Sequence, residues 1–280
     1  MDVERVRIAL ITEVFPDDPE GVRLRARLQA AREQGAALAV LPELPLNSWS
    51  PATRVPREED AEEPGGRRQR LLARIASEVG VGVLGGAIVQ EPGSGRRHNT
   101  ALLYDATGRC LSRYRKVHLP EEEGYWETSH YEAGTAPPGV VRAFGLGMGI
   151  QVCSDVNRPT GFQLLAAAGA DLVCAPRATP PETYHRWRLV LRANAVMACT
   201  FVLSANRPRP EAGASIGGPS LAVAPDGSVL AETPEPVSVV DLDEAMLRSC
   251  RAEYPGYLRR FPPLYAHGWK DVAGPGDTHP

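Results

Sequence analysis

Cysteine is scarce in this sequence, and its spacing follows no pairing pattern. The 280 residues contain an odd number of cysteines and no C-x-x-C pair; they are Cys110, Cys153, Cys174, Cys199 and Cys250. Such a set argues against a disulfide framework and against a cysteine-based zinc site. The six histidines also lack the close spacing of metal ligands. We therefore expect a reduced, cytoplasmic protein without a bound metal.

Long hydrophobic runs and an excess of one charge are missing as well. The longest apolar run, residues 195–203, is far shorter than the roughly 20 residues that span a bilayer. The N-terminal MDVERVRIALI places acids before its apolar run, unlike a basic signal peptide. Lys and Arg number 31 against 34 for Asp and Glu, which gives a net charge of −3. This balance predicts no general attraction to nucleic acid or to a membrane surface.

What the sequence does contain is an alternation of helix and strand patterns at both ends, with a meander of strands between them. Strands are predicted at 6–11, 37–41, 81–89, 100–104, 110–114, 147–152, 172–175, 201–204, 221–224, 229–231 and 237–241. Helices are predicted at 23–34, 68–79, 161–168, 182–198 and 243–250, loops at 50–66 and 117–138, and an irregular tail after residue 250. The pattern indicates an α/β protein with mixed sheets, with a single domain over 1–270 and a tail over 271–280.

Three chemically useful residues directly follow predicted strands. They are Glu43 in LPELP, Lys116 in YRKVHLP and Cys153 in IQVCSD. A cysteine attacks as its thiolate, a carboxylate can take the thiol proton, and a lysine can stabilise a developing oxyanion. Taken singly, each also has a structural interpretation, because a lone cysteine after a buried strand usually packs in the core and a lysine usually faces solvent.

The sequence around these residues resembles the nitrilase, or carbon–nitrogen hydrolase, superfamily. The segments LPELPLNSW, RYRKVHLP and GIQVCSD are similar to the three catalytic blocks of that family and occur in the same order. HNTALLYDATG, AAAGADLVCAPRA, RANAVMACTFVLSANR, GGPSLAVAPDG and DLDEAMLR extend the resemblance over about residues 5–267.

The resemblance implies a four-layer α-β-β-α sandwich with two mixed sheets that usually forms a homodimer or a higher homo-oligomer. It also implies that Cys153 is the nucleophile, Glu43 the general base and acid, and Lys116 the oxyanion stabiliser, helped by the main-chain N–H of Ser154. The expected reaction is hydrolysis of a small linear amide or N-carbamoyl compound through a covalent acyl-enzyme, with release of ammonia and no cofactor.

One more catalytic residue follows from the resemblance. The segment HLPEEEGYWETSHYEAG looks like the corresponding part of carbamoylputrescine-type amidases, where an acid after two aromatic residues lies in the active site. That acid corresponds to Glu127, which is expected to hold Lys116 and to help place the attacking water. The preceding acids, Glu121–Glu123, are either a solvated loop face or a contact for a cationic substrate.

The sequence departs from the family where the substrate pocket is expected. Ser154 stands where the family usually has an aromatic residue, Arg158 replaces a further pocket residue, and Arg177 follows Pro176 where a small residue is usual. We predict that Ser154, Arg158 and Arg177 bind substrate. A planar guanidinium suits a substrate carboxylate, although each arginine could instead pair with a local acid such as Asp155 or Glu182.

Two other functions remain open at this point. A nitrilase acting on a small nitrile would use the same catalytic residues. A catalytically weak family member that binds a small molecule would explain the altered pocket.

Overall fold

The computed structural model describes residues 5–272, and side chains as far as residue 270. The strands are β1 Arg5–Ile11, β2 Leu38–Val40, β3 Ala61–Glu62, β4 Gly82–Gln90, β5 Arg97–Tyr104, β6 Cys110–Arg115, β7 Glu121–Glu122, β8 Tyr125–Trp126, β9 Val141–Ala143, β10 Leu146–Ile150, β11 Leu172–Cys174, β12 Phe201–Ser204, β13 Ser220–Val223, β14 Val229–Thr233 and β15 Val237–Asp243. The α-helices are α1 Val22–Glu33, α2 Arg67–Val79, α3 Pro159–Ala167, α4 Tyr184–Ala198, α5 Glu244–Ala252 and α6 Pro262–Val272.

Two mixed sheets form the centre of the molecule. The first has the order β15-β1-β2-β4-β5-β6, with β3 beside β4, and the second has the order β14-β13-β12-β11-β10-β9. In each sheet three neighbouring strands run parallel, β1-β2-β4 in the first and β10-β11-β12 in the second. Antiparallel strands flank them on both sides. The carboxyl ends of the parallel strands therefore gather at one edge of each sheet, where polar side chains can meet.

Alternation along the strands builds the layers. On β1, Ile8 and Leu10 lie in the apolar cluster between the sheets, whereas Ala9 and Ile11 pack with the buried faces of α1 and α2. Successive strand residues point to opposite faces, so one strand serves two cores.

The second sheet repeats this arrangement. On β11, Leu172 and Cys174 contribute to the cluster between the sheets, whereas Val173 packs against α3 and α4. The three apolar clusters separate four layers, which confirms the predicted α-β-β-α sandwich with two mixed sheets.

Three segments differ from the prediction of irregular structure. Within the predicted loop 50–66, Ala61–Glu62 form β3 beside β4. Within the predicted loop 117–138, β7 and β8 form a hairpin whose turn contains Gly124 at φ 80°. Strands of two residues are too short to show an alternating pattern. The predicted irregular tail is wrong for Pro262–Val272, which form α6. Proline at the first turn of a helix is favourable because the N–H that it lacks has no partner there in any case.

The described residues do not include the two ends of the chain. Residues 1–4 and 273–280, and with them most of the predicted tail 271–280, lie outside the described residues. The single domain over 1–270 stays a prediction. In the described part of the chain, no helix is both long and apolar enough to cross a membrane.

Candidate active site

The three residues that follow predicted strands meet in the interior. Glu43 lies in the turn after β2, Lys116 directly follows β6, and Cys153 begins the short 3-10 helix Cys153–Asn157 after β10. Glu127 begins another 3-10 turn after β8. Lys116 and Glu127 are 0% exposed, Glu43 is 2% exposed and Cys153 is 4% exposed. Charged side chains are rarely buried so completely unless they are paired.

The ammonium group of Lys116 joins the two carboxylates. Nζ lies 2.9 Å from Oε1 of Glu43 and 2.6 Å from Oε1 of Glu127. Asn99, at the start of β5, donates from Nδ2 to the same Glu43 oxygen at 2.7 Å. Oε2 of Glu43 and Oε2 of Glu127 accept no hydrogen bond from any described residue. One oxygen of each acid is therefore fixed, and the other is available for chemistry.

The charges in this buried cluster perturb one another. Burial raises the pKa of Glu127 to about 8, against the opposing attraction of Lys116 and with a further increase from Glu43. Burial alone would lower the pKa of Lys116, but the Glu127 and Glu43 carboxylates outweigh it and hold that pKa well above its usual value. The lysine is consequently charged, and Glu127 holds a proton over much of the neutral range.

Cys153 is held in an unusual backbone conformation. Its φ is 47°, in the left-handed region that favours glycine. Its main-chain N–H donates to the carbonyl of Pro176 at 2.9 Å, and Sγ lies 3.7 Å from the carbonyl of Ala178. Burial raises the pKa of the thiol well above its usual value, the negative charge of Glu43 raises it further, and Lys116 acts in the opposite direction. The Cys153 thiol is therefore neutral at rest, and it would need a base in order to attack.

Asp155 connects the segment after Lys116 with the turn of Cys153. It is fully buried, and it accepts from the hydroxyl of Tyr114 at 2.9 Å. It also accepts from the main-chain N–H groups of Val117, His118 and Val152 at 2.9–3.2 Å, and lies 2.7 Å from Nδ1 of His118. Five contacts on one carboxylate fix the segment after Lys116 and the turn of Cys153 relative to each other.

The predicted substrate-binding residues Ser154 and Arg158 have local partners. The hydroxyl of Ser154 donates to the carbonyl of His118. Arg158 is exposed, and its Nη1 donates to the carbonyl of Asn157 at 3.4 Å. The structure thus places the Arg158 side chain on the surface and does not bring it to the buried cluster.

Arg177 is deeply buried and meets only neutral groups. Nε donates to the hydroxyl of Ser204 at 2.9 Å, Nη1 to the hydroxyl of Thr179, and Nη2 to the carbonyl of Pro219. The guanidinium carbon lies 5.6 Å from the centre of the Tyr184 ring. Burial lowers the pKa of Arg177 to about 10, so the side chain remains charged at neutral pH.

The alternative in which Arg177 pairs with Asp155 or Glu182 is wrong. Asp155 bonds to the segments around Lys116 and Cys153, and Glu182 accepts from the hydroxyl of Ser215 at 3.0 Å. Within residues 5–270, no carboxylate forms an ion pair with Arg177.

The acidic run before Glu127 has a structural partner. Glu121 accepts from the hydroxyl of Thr128 and lies 3.7 Å from Arg54, whose guanidinium carbon is 3.8 Å from the centre of the Trp126 ring. Glu122 and Glu123 are exposed. These contacts favour the solvated-face interpretation of Glu121–Glu123 over a contact with a cationic substrate.

Sequence reasoning missed two residues of the site, Asn99 and the anchoring role of Asp155. Asn99 precedes the apolar run of β5, and a polar residue at a buried strand position is the signal that could have identified it. Asp155 lies two positions after Cys153, but the sequence does not indicate which groups its carboxylate would bind. The described residues contain no group of three or more His, Cys, Asp or Glu side chains that could hold a metal ion.

Comparison with known proteins identifies the family to which the sequence belongs. The family model described as Carbon-nitrogen hydrolase matches residues 10–252. The chain belongs to the carbon-nitrogen hydrolase family. The predicted superfamily is thereby confirmed, and so is the prediction of an amidase-type carbon–nitrogen hydrolase.

Two similar relatives of this hydrolase are amidases by name. Omega-amidase NIT2 of Homo sapiens is 30% identical over 247 residues, which are 85% of this chain and 88% of the relative. The deaminated glutathione amidase of Synechocystis sp. is 27% identical over 247 residues, which are 83% of this chain and 89% of the relative.

Solved structures agree with the fold. An amidase from Nesterenkonia sp. superposes with a TM-score of 0.78 at 30% identity and covers 96% of this chain and 99% of its own. A mutant of that amidase carries the acetamide moiety of fluoroacetamide covalently at its active-site cysteine. A carbon–nitrogen hydrolase from Helicobacter pylori G27 has a TM-score of 0.82 at 18% identity and covers 94% of this chain and 98% of its own, a likeness of fold alone.

Proposed function

We propose that this hydrolase cleaves a small linear amide or N-carbamoyl compound with Cys153 as nucleophile, Glu43 as base and acid, Lys116 as oxyanion stabiliser and Glu127 as the acid that holds the lysine. The observation that carries the proposal is the ammonium of Lys116 shared by two buried carboxylates. A buried cation held by two acids, close enough to influence the pKa of a buried thiol, is a costly arrangement that a structural role does not require.

The first step forms the acyl-enzyme. Glu43 takes the proton of the Cys153 thiol as Sγ attacks the carbonyl carbon, and the carbonyl oxygen gains the negative charge. Lys116 Nζ and the main-chain N–H of Ser154 stabilise that oxyanion. Glu43 then gives its proton to the leaving nitrogen, the carbon–nitrogen bond breaks, ammonia leaves and a thioester remains.

The second step hydrolyses the thioester. Glu43 takes a proton from a water molecule, the hydroxide adds to the acyl carbon, and the carbon–sulfur bond breaks as Sγ recovers the proton. Glu127 keeps Lys116 in place through both steps. Because burial raises the thiol pKa, attack depends on proton transfer to Glu43 rather than on a standing thiolate.

Arg177 supports an anionic substrate. Its three nitrogen atoms make one hydrogen bond each to neutral acceptors, whereas a guanidinium has five N–H donors. A substrate carboxylate would neutralise this buried cation. The name omega-amidase, borne by several relatives, is compatible with such a substrate. Ser154 completes the proposed substrate-binding set through its main-chain N–H, whereas the exposed Arg158 does not reach the buried cluster.

The proposal includes a cytoplasmic homodimer. All five cysteines are free thiols, as expected in a reducing compartment. Large apolar side chains exposed towards the carboxyl terminus would be covered by a second copy; among them are Tyr257, Leu258, Phe261, Tyr265 and Trp269.

Ammonia release from a panel of amides, N-carbamoyl compounds and nitriles tests the activity. We expect turnover of amides or carbamoyl compounds by the wild type and none by Cys153→Ala, whereas the control Cys174→Ala keeps turnover because Cys174 packs between the sheets. Turnover of nitriles alone would make the protein a nitrilase. No turnover of any compound, with binding of a small molecule retained, would contradict the proposed hydrolysis.

A further inference from the structure

Arg207 is a second fully buried arginine, and its donors are engaged by the turn that carries Glu43 and by the carboxylate of Glu211. Nη1 donates to the carbonyls of Glu43 at 2.9 Å and Leu44 at 2.8 Å. Nη2 donates to the carbonyl of Asn47 at 3.0 Å and to Glu211 at 2.6 Å. Nε donates to the other oxygen of Glu211 at 3.0 Å. These five bonds use every N–H of the guanidinium.

The turn that Arg207 holds is one that would otherwise relax. Leu44 has φ 48°, a left-handed conformation that is unfavourable for a leucine. Because Glu43 immediately precedes Leu44, any relaxation of the turn moves the Glu43 carboxylate. The bonds from Arg207 to three carbonyls of this turn oppose that movement.

An aromatic ring lies next to the guanidinium group of Arg207. The guanidinium carbon of Arg207 lies 5.5 Å from the centre of the Trp49 ring. The main-chain N–H of Trp49 donates to Glu211 at 3.2 Å, and its indole N–H donates to the carbonyl of Gly124 at 2.8 Å. Gly124 lies in the hairpin that leads to Glu127, so the same cluster supports both acids of the site.

The main chain of Arg207 lies just after β12 of the second sheet. Its N–H donates to the carbonyl of Arg177 at 3.2 Å, and the neighbouring Pro176 carbonyl accepts from the N–H of Cys153 at 2.9 Å. Arg207 therefore lies next to the segment that holds the nucleophile, while its side chain reaches across to the turn that holds the base.

We propose that Arg207 is a positioning residue that sets the Glu43 carboxylate against the Cys153 thiol across the two sheets. The proposal rests on the proposed roles of Glu43 and Cys153. A base must lie within hydrogen-bonding distance of the proton that it takes. A displacement of about 1 Å can reduce a rate by roughly 100-fold. Since Arg207 is covered by the Glu43 turn and by Trp49, its loss acts on kcat rather than on substrate binding.

Steady-state kinetics on a small amide give the first test. Arg207→Lys keeps the charge but offers three donors from one point instead of a planar fork. We expect kcat to fall by about 10- to 100-fold with KM changed by less than about 3-fold. Glu211→Gln keeps Arg207 but weakens the two bonds that its guanidinium makes to the Glu211 carboxylate. We expect this variant to show a smaller loss of kcat.

Arg251→Lys is the matched control. Arg251 also donates to a carboxylate and to a main-chain carbonyl, Asp171 and Ala170, but at the beginning of β11, away from the catalytic turn. We expect wild-type kcat from this variant. Equal losses in Arg207→Lys and Arg251→Lys, or an unchanged kcat in Arg207→Lys, would overturn the proposal. If Arg207→Lys does not fold by circular dichroism, Glu211→Gln decides in the same way.

Labelling of Cys153 by iodoacetamide gives a second test that needs no turnover. We expect Arg207→Lys to slow the labelling of Cys153 in the wild-type background and to have no effect in the Glu43→Gln background, because both changes act on the same proton transfer. Equal slowing in both backgrounds would show a general structural role and overturn the proposal. The labelling result stands even if no amide is hydrolysed, so failure of the proposed function and failure of this inference can be told apart.

Discussion

The Lys116 ammonium lies 2.6 Å from the Glu127 carboxylate, and neither side chain is exposed to solvent. Glu43 approaches the same ammonium at 2.9 Å. One buried cation therefore serves two buried acids, and a single proton on the acids makes the cluster neutral. Burial raises the pKa of Glu127 to about 8, which favours the protonated form of this acid at neutral pH.

Replacing Glu127 should change how stability depends on pH. The pKa of Glu127 is about 8 in the folded protein against an ordinary value of 4.5. The folded state keeps a proton that the unfolded chain releases, so this contribution is complete below the ordinary value and is lost as the pH rises towards the folded value. From about pH 5 to 8, the wild type should lose on the order of a few kcal/mol relative to Glu127→Gln.

Urea unfolding at several pH values measures this effect. The free energy of unfolding of Glu127→Gln should vary less across the window than that of the wild type. Parallel pH dependences in the two proteins would show that Glu127 is ionised in the folded state.

Lys116→Met should abolish turnover and destabilise the fold. It removes the proposed oxyanion stabiliser and leaves the buried acids Glu43 and Glu127 without their cation, which costs about 3–5 kcal/mol. Because Lys116 lowers the pKa of Glu127, its removal raises that pKa further, so the loss should be greater at high pH than at low pH. The control is Lys270→Met, because Lys270 is the other lysine of the chain and is exposed. A Lys116→Met protein as stable as that control would argue against the buried pair.

Asp155→Asn should lower both stability and kcat. The amide keeps the shape but loses the charge and presents an N–H₂ group to donors, so at least one bond of the carboxylate is replaced by a repulsive contact. We expect a loss of about 1–3 kcal/mol in the free energy of unfolding. Asp105→Asn provides the comparison, because Asp105 accepts from Thr107 and Arg109 at an exposed turn. Retention of full kcat in Asp155→Asn would separate Asp155 from the geometry of the site.

Arg177→Ala tests the charge of the substrate. If Arg177 contacts a substrate carboxylate, kcat/KM for N-carbamoyl-β-alanine should fall by an amount that corresponds to roughly 2 kcal/mol of activation free energy. The kcat/KM for N-carbamoylputrescine should change little. Equal losses of kcat/KM with both substrates would show that Arg177 has a structural role, through its hydrogen bonds to Ser204, Thr179 and Pro219.

Much of the site could be predicted because strand ends are visible in a sequence. Glu43, Lys116 and Cys153 each follow a predicted strand, and strands that lie side by side bring such residues together. The role of Arg207 could not be predicted in this way. Its partners include main-chain carbonyls about 160 positions away, at Glu43, Leu44 and Asn47. A carbonyl has no residue signature, so only the folded chain shows which ones an arginine meets.

The fold shows the same limit. The largely apolar segment 6–11 predicts β1 as a buried strand, whereas the two-residue strands β7 and β8 carry too short a pattern. The positions of side chains are equally hard to predict from the sequence. Arg158 comes after β10 and Arg177 after β11, but Arg158 is on the surface and Arg177 is buried.

Cys153, the proposed nucleophile, has a backbone conformation that most residues avoid. Its φ is 47°, and a side chain held there costs on the order of 1–3 kcal/mol that glycine would not. A Cys153→Gly substitution would relieve this backbone cost and remove the proposed nucleophile at the same time. Backbone strain and the proposed chemistry are therefore opposed at a single residue.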